Sequence, residues 1–144
     1  MLGVNRINDR LITVRLLVDN VTVTIFSCYV PQQGLTDAEK YDFYEKSLQL
    51  ASSVDEKDIL LVTGDLNGHV GKLQDVYEGF HGGFGYGSRN TEGERILEFC
   101  SALDLVLCNT FFKKGDRRLI TGLIRKKMPR LQKRKLRRAI EHSP

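Results

Sequence analysis

The sequence predicts a single α/β domain, a layered sandwich with helices covering sheet faces, followed by a strongly basic tail. Three observations carry that expectation. Short β-branched runs alternate with two amphipathic stretches that open on capping signals; 41% apolar content over 144 residues suffices for one core; and charge divides sharply along the chain. From Lys113 to Pro144 there are 13 Lys and Arg against Asp116 and Glu141, a net +11, which leaves the first 112 residues at −7. The folded part is placed at residues 1–116. The tail, 117–144, is expected to be disordered or helical, since few apolar residues there could offset the entropy of ordering it.

The elements follow in order. "RLITVRLLV" and "VTVTIFSCYV" flank Asp19-Asn20 and read as two strands of a hairpin. Pro31 closes the second strand, because it cannot donate to a ladder. Thr36 and Glu39 make a T-x-x-E capping box, and Tyr41, Tyr44, Leu48 and Ala51 share one face of a helix from about Asp37 to Ser52. "DILLVT" is a continuous apolar run bounded by charge and glycine, as expected of a strand buried on both faces. The tract from Gly64 to Gly93 is rich in glycine and lacks periodicity, and a loop that long in a compact domain is usually functional. Thr91 and Glu94 form a second capping box ahead of a face made by Ile96, Leu97, Cys100 and Leu103, after which "LVLCNTFF" reads as a strand.

Composition narrows the setting. Cys28, Cys100 and Cys108 are odd in number, have no C-x-x-C spacing and lie in apolar stretches, so they are expected to be buried thiols. No apolar run approaches the ~18–20 residues that span a bilayer, and the opening "MLGVNRINDR" has no apolar signal core. The expectation is an intracellular protein, nuclear or cytoplasmic, with no membrane association. The tail should be drawn to polyanions, DNA in particular, by counterion release.

Phosphodiester cleavage needs a metal or base to activate water, donors for the phosphoryl oxygens and help for the leaving oxygen. In "ILLVTGDLNGHVG", Asp65 and Asn67 follow an apolar run, where a carboxylate and an amide on one side of an extended chain suit that task. The alternative is an Asx-turn, in which the two bond their own backbone. Upstream, Tyr29 of "SCYVPQQG" ends a strand, and its phenol can donate to a phosphate oxygen or be a half-buried strand aromatic.

With "SCYVPQ", "VTGDLNGHVG" and "GSRNTEGERILEFCSALDLVLCNTFF" in view, the sequence resembles the endonuclease/exonuclease/phosphatase superfamily, which shares a fold with DNase I and apurinic/apyrimidinic endonucleases. The last tract is most similar to endonucleases of non-LTR retrotransposons and to craniofacial development protein 2-like open reading frames. The resemblance runs from about Asn8 to Thr121. It implies part of a four-layer α/β/β/α sandwich of the DNase I type. It further implies that Asp65 activates or orients water, with Mg²⁺ or Mn²⁺ as a possible partner of that carboxylate; that Asn67 holds the phosphate or the carboxylate; and that Tyr29 contacts the scissile phosphate. Gln32 stands where the family often has Asn.

Asn90 and Asn109 are candidate cleft amides, with a helix flank and a strand-end turn as their structural alternatives. His69 is a candidate neighbour of metal or phosphate; His81 and His142 are expected to be solvated loop and tail residues. Two family features are not matched: Met1 to Cys28 contains no Glu for the metal, and Glu141-His142 lies in the basic tail instead of following further strands as Asp-His. The expectation is therefore a fragment of a Mg²⁺-dependent DNA endonuclease domain of retrotransposon origin, weakly active or inactive alone, with missing strands absent or supplied by another chain. A nucleic-acid-binding module acting through its tail and a phosphatase of the same superfamily are the alternatives.

Overall fold

The computed structural model describes residues 1–113 and 122–126, with Ile124 the one described side chain of the second segment. Strand formation begins earlier than the sequence pattern indicates. Gly3–Asn8 (β1) pairs antiparallel with Leu11–Val18 (β2), which pairs antiparallel with Val21–Tyr29 (β3). β1 lies at the sheet edge and is mostly exposed, so no alternation of buried apolar residues marks it. Between β2 and β3, Asp19 and Asn20 have φ of 46° and 63°, the geometry of a two-residue hairpin loop whose twist matches the strands.

The first helix, Asp37–Ser52 (α1), starts on the expected capping box. Thr36 Oγ1 accepts from the Glu39 N–H at 3.3 Å, and the Glu39 carboxylate accepts from the Thr36 N–H at 2.9 Å. Its inner face is Lys40, Phe43, Ser47 and Ala51, with Tyr44 and Leu48 partly buried beside them. Tyr41 is exposed and is not on that face, because Lys40 takes the adjacent inward position to meet Glu92. α1 is the crossover that lets Ile59–Asp65 (β4) run parallel to β3. Ile59, Leu60 and Val62 of β4 are buried, but Leu61 is only partly so, because both helices lie on the Leu60 and Val62 face. The expectation of a strand buried on both faces is met in full on that face alone.

The second helix is Thr91–Ala102 (α2), and its cap corrects the second capping-box expectation. Asn90 is the N-cap, its Oδ1 accepting from the Gly93 N–H at 2.8 Å, so Thr91 lies inside the helix. Glu94 instead accepts from the Tyr77 hydroxyl at 2.6 Å and pairs with Arg89. The next strand, Leu105–Leu107 (β5), is only three residues long; Cys108–Phe111 turns as a 3-10 helix and does not extend it to Phe112.

Gly122–Lys126 (β6) lies between β4 and β5, antiparallel to both, in a sheet of order β1-β2-β3-β4-β6-β5. This corrects the 116/117 boundary. Ile124 is 1% exposed within the core, so residues 122–126 belong to the domain and not to a disordered or helical tail. Residues 127–144, including His142, lie outside the described residues, as does the expectation for the rest of the tail.

The α/β class is as expected, and the described residues make one sheet with both helices on one face. Leu11, Phe26, Cys28, Leu60, Val62 and Ile124 of the sheet share one buried cluster with Phe43, Ala51, Ile96, Leu97 and Cys100 of the helices. Val14, Ile25 and Leu61 lie in register on the other face, around a small cluster of Val23 and Ile59. The second sheet and outer helices of a four-layer arrangement are not formed by the described residues. The three cysteines are buried, as expected, and burial pushes the Cys28 thiol up to about 12, which makes it unreactive. Among the described residues no helix is long and apolar enough to cross a membrane.

Candidate active-site cleft

The parallel pairing of β3 and β4 ends with Tyr29 opposite Asp65, at the carboxyl ends of strands where open α/β sheets leave a crevice. Backbone geometry fixes the residue before Asp65. Gly64 has φ +129°, and a Cβ there would lie 1.9 Å from the Cys28 carbonyl oxygen, so only glycine lets β4 approach β3 so closely at its end.

Beyond that glycine the chain turns back on itself. Asp65 Oδ1 accepts from the Asn67 N–H at 3.0 Å, with Asn67 at φ 48°. Asn67 Nδ2 donates to the Val30 carbonyl at 2.6 Å, and the Val30 N–H donates to the Asp65 carbonyl at 2.9 Å. The Asx-turn alternative is therefore realised, and it serves the site. It holds Asp65 and Asn67 at the mouth of the strand ends using one carboxylate oxygen, while Asp65 stays exposed.

A cleft of about 770 Å³ opens there, and Gln32, Asp65, Asn67, His69, Asn90 and Asn109 all line it. Sequence reasoning thus brought six residues from four segments to one cavity. Tyr29 is beside it but not among its lining residues: the ring is 46% exposed and lies under the Arg10 guanidinium, 5.3 Å from the ring centroid. Arg10 Nη1 is buried and has no hydrogen-bond partner among the described residues. Sequence reasoning missed Arg10, which reaches Tyr29 only through strand pairing, and it missed Phe84 and Tyr86, which also line the cleft. Their signal was the alternation Gly83-Phe84-Gly85-Tyr86-Gly87.

Several polar groups hold the cleft wall in place. Asn90 Oδ1 accepts from the N–H of both His69 and Gly93, and the Asn90 N–H donates to the His69 carbonyl, so this amide ties the loop after β4 to the start of α2. Its helix-flank alternative is what the geometry displays. His81 is fully buried, which corrects the expectation of a solvated loop histidine. It pins the glycine-rich tract, with Nδ1 accepting from the Gly83 N–H at 2.9 Å and Nε2 bonded to the Gly71 carbonyl at 3.0 Å. Burial lowers its pKa, consistent with a neutral ring that donates through Nε2.

Arg89 staples the same tract. It donates to the carbonyls of Val70 and Leu73, pairs with Asp75 and Glu94, and covers the Tyr77 ring at 5.1 Å. Burial, with the bond to Glu94, pushes the Tyr77 phenol up to about 12, so it remains a donor. Beneath the cleft, Lys40 Nζ meets Glu92 Oε1 at 2.8 Å with both side chains under 10% exposed, and also donates to the Gln33 carbonyl. The hydrogen bond from Lys40 lowers the Glu92 pKa against its burial.

The donors for a metal are sparse. Among the described residues no three His, Cys, Asp or Glu side chains cluster as a metal site, and Asp65 is the one carboxylate lining the cleft. No Lys or Arg lines it among the described residues.

Comparison with known proteins places the chain among relatives. No family model matches it. It is 37% identical over 121 residues to craniofacial development protein 2 of Bos taurus and 35% identical over 121 residues to that of Tragulus javanicus, in each case over 84% of this chain. The chain spans about a fifth of the length of those relatives, 20% and 21%. A solved structure named endonuclease/exonuclease/phosphatase, from Beutenbergia cavernae DSM 12333, aligns with TM-score 0.45 and 14% identity, over 81% of this chain and 31% of that one.

Proposed function

We propose that the chain, in view of its "SCYVPQ" and "VTGDLNGHVG" motifs, is a piece of an endonuclease/exonuclease/phosphatase domain of retrotransposon origin, acting on DNA phosphodiesters. One observation carries the reading: Tyr29 and Asp65 end adjacent parallel strands, at the mouth of a cleft that Asp65, Asn67, Asn109 and Gln32 line together. Asp65 orients and deprotonates the attacking water. Asn67, held by Val30, fixes the carboxylate turn. Amides of Gln32 and Asn109 bind the nucleotide flanking the break, and Arg10 over Tyr29 offers positive charge to the phosphoryl oxygens.

Mg²⁺, or Mn²⁺ in its place, would take Asp65 as its one carboxylate among the described residues and supply Lewis-acid stabilisation of the phosphoryl charge. The remaining ligands would come from water and the substrate. With so incomplete a donor set, turnover by this chain alone is slow. Plasmid nicking tests the reading. The 144-residue chain should relax supercoiled DNA slowly in Mg²⁺ or Mn²⁺, and Asp65→Ala should lower the rate by about 10²–10⁴-fold. Equal nicking by Asp65→Ala, or none with either metal, would refute catalysis by this chain.

The net +11 from Lys113 onward supports a second reading, in which the chain binds nucleic acid without cleaving it. A phosphatase acting on a small phosphate ester is less favoured, because a free phosphate ester needs cations that the described residues of this cleft lining do not offer.

A further inference from the structure

We propose that Phe84 and Tyr86 form a stacking platform for an unpaired nucleobase, so that the cleft takes single-stranded or locally opened nucleic acid. The inference rests on the phosphodiester reading of the cleft and names its substrate class. Both aromatic side chains line the cavity that holds Asp65 and Asn67, and they are 47% and 55% exposed. Two large rings left so open beside a polar cavity retain faces on which a base can stack.

The segment that carries them is held rigidly by its backbone. Between the two rings, Gly85 packs against the Gly71 carbonyl so closely that a Cβ would lie 1.6 Å from that oxygen and 3.3 Å from His81 Nε2. Gly71 and His81 are buried, and the Phe84 N–H donates to the Thr110 carbonyl at 2.9 Å. The chain is thus anchored at its glycine while the neighbouring aromatic residues stay about half exposed. Such preorganisation removes much of the ordering entropy that a mobile aromatic loop would lose on binding.

The rest of the lining matches a base better than a phosphate group. Gln32, Gln33 and Asn109 present amides, which can both donate to and accept from the edge of a base. No Lys or Arg lines the cavity among the described residues, and the one carboxylate there would repel phosphate lodged without a metal. The phosphate backbone is then left to groups such as Arg10, which is not among the cavity's lining residues.

The test is a binding titration of the full 144-residue chain, by fluorescence anisotropy, in EDTA so that no turnover occurs. The probes are an oligothymidylate and an all-abasic strand of equal length and charge. Phe84→Ala and Tyr86→Ala should each weaken binding of the oligothymidylate by on the order of 10-fold and leave the abasic strand unaffected. Tyr86→Phe and Phe84→Trp keep the ring and should retain affinity, which separates stacking from misfolding. Equal loss on both probes, or no loss on either, would overturn the platform. Because the readout is binding without turnover, a base-dependent loss would stand even if plasmid nicking failed.

Discussion

At the residue scale, the side chains that make the cleft are held chiefly by backbone partners. Asn90 is the clearest case. Sequence alone offered it as a cleft amide or a helix flank, and its one oxygen accepts from two N–H groups that would otherwise be orphaned at the start of α2 and in the loop after β4. Asn90→Ala is expected to lower stability by about 1–2 kcal/mol, at the upper end for a lost N-cap. Thr91→Ala, at a site the sequence pattern marked as the cap, should change it by less than about 0.5 kcal/mol. Denaturant midpoints of the two variants decide between the caps, and the reverse order would contradict the assignment.

What could be read from sequence at this scale was chemical type and local spacing. Asp65, Asn67, Gln32, His69, Asn90 and Asn109 do meet in one cavity. Arg10 was not legible, since its place over Tyr29 depends on a β2–β3 register that no local pattern displays. His81 was misread because a glycine-rich stretch looks solvated, whereas its glycines let backbone pack closely enough to enclose an imidazole.

At the element scale, α1 and α2 are joined by the buried Lys40–Glu92 pair, 52 residues apart in sequence. Removing one partner strands a charge in a site with little access to water. Lys40→Met is expected to destabilise the fold by roughly 3–5 kcal/mol, whereas Lys40→Met with Glu92→Leu should recover most of that loss. The pH dependence has a definite sign. Lys40 lowers the Glu92 pKa below its ordinary 4.5, so the unfolded state takes up this proton first as pH falls. The contribution is fully present above about pH 4.5 and is lost as pH falls through the folded value. Thermal melts between pH 7 and 3 should show that acid-side loss in the native chain and less of it in the double variant.

The elements themselves were legible wherever burial imposed a period or a cap announced a start. α1 begins and ends where the capping box and apolar spacing placed it, and β4 was marked by an unbroken apolar run. β1 and β6 were not. β1 has no buried stripe, and β6 is a short apolar segment between basic residues, so its charged flanks hid a strand that two neighbours pair on both sides.

For the whole molecule, β6 changes how the basic tail is to be tested. A cut after Lys113 would remove a strand from between β4 and β5 along with the charge. Ending the chain at Lys126 keeps the sheet and removes seven Lys and Arg and Glu141, a net +6. If the tail engages DNA, that truncation should weaken duplex binding at low salt and reduce the slope of log K against log salt by up to about 5. An unchanged slope would place the phosphate contacts elsewhere.

The larger architecture was legible only as a class. One sheet with two helices on one face is seen, and its other face carries Val14, Ile25 and Leu61 without a covering layer among the described residues. Because the chain spans about a fifth of its relatives, its strand-end cleft is the part of the proposed activity most open to direct test. The decisive measurement is paramagnetic broadening of backbone amide signals when Mn²⁺ is titrated into the chain bound to a short oligonucleotide. The amides of Asp65 to Asn67 and of Gln32 should broaden first, and Asp65→Ala should abolish the effect. Broadening centred elsewhere, or unchanged in Asp65→Ala, would contradict a phosphodiester site at these strand ends.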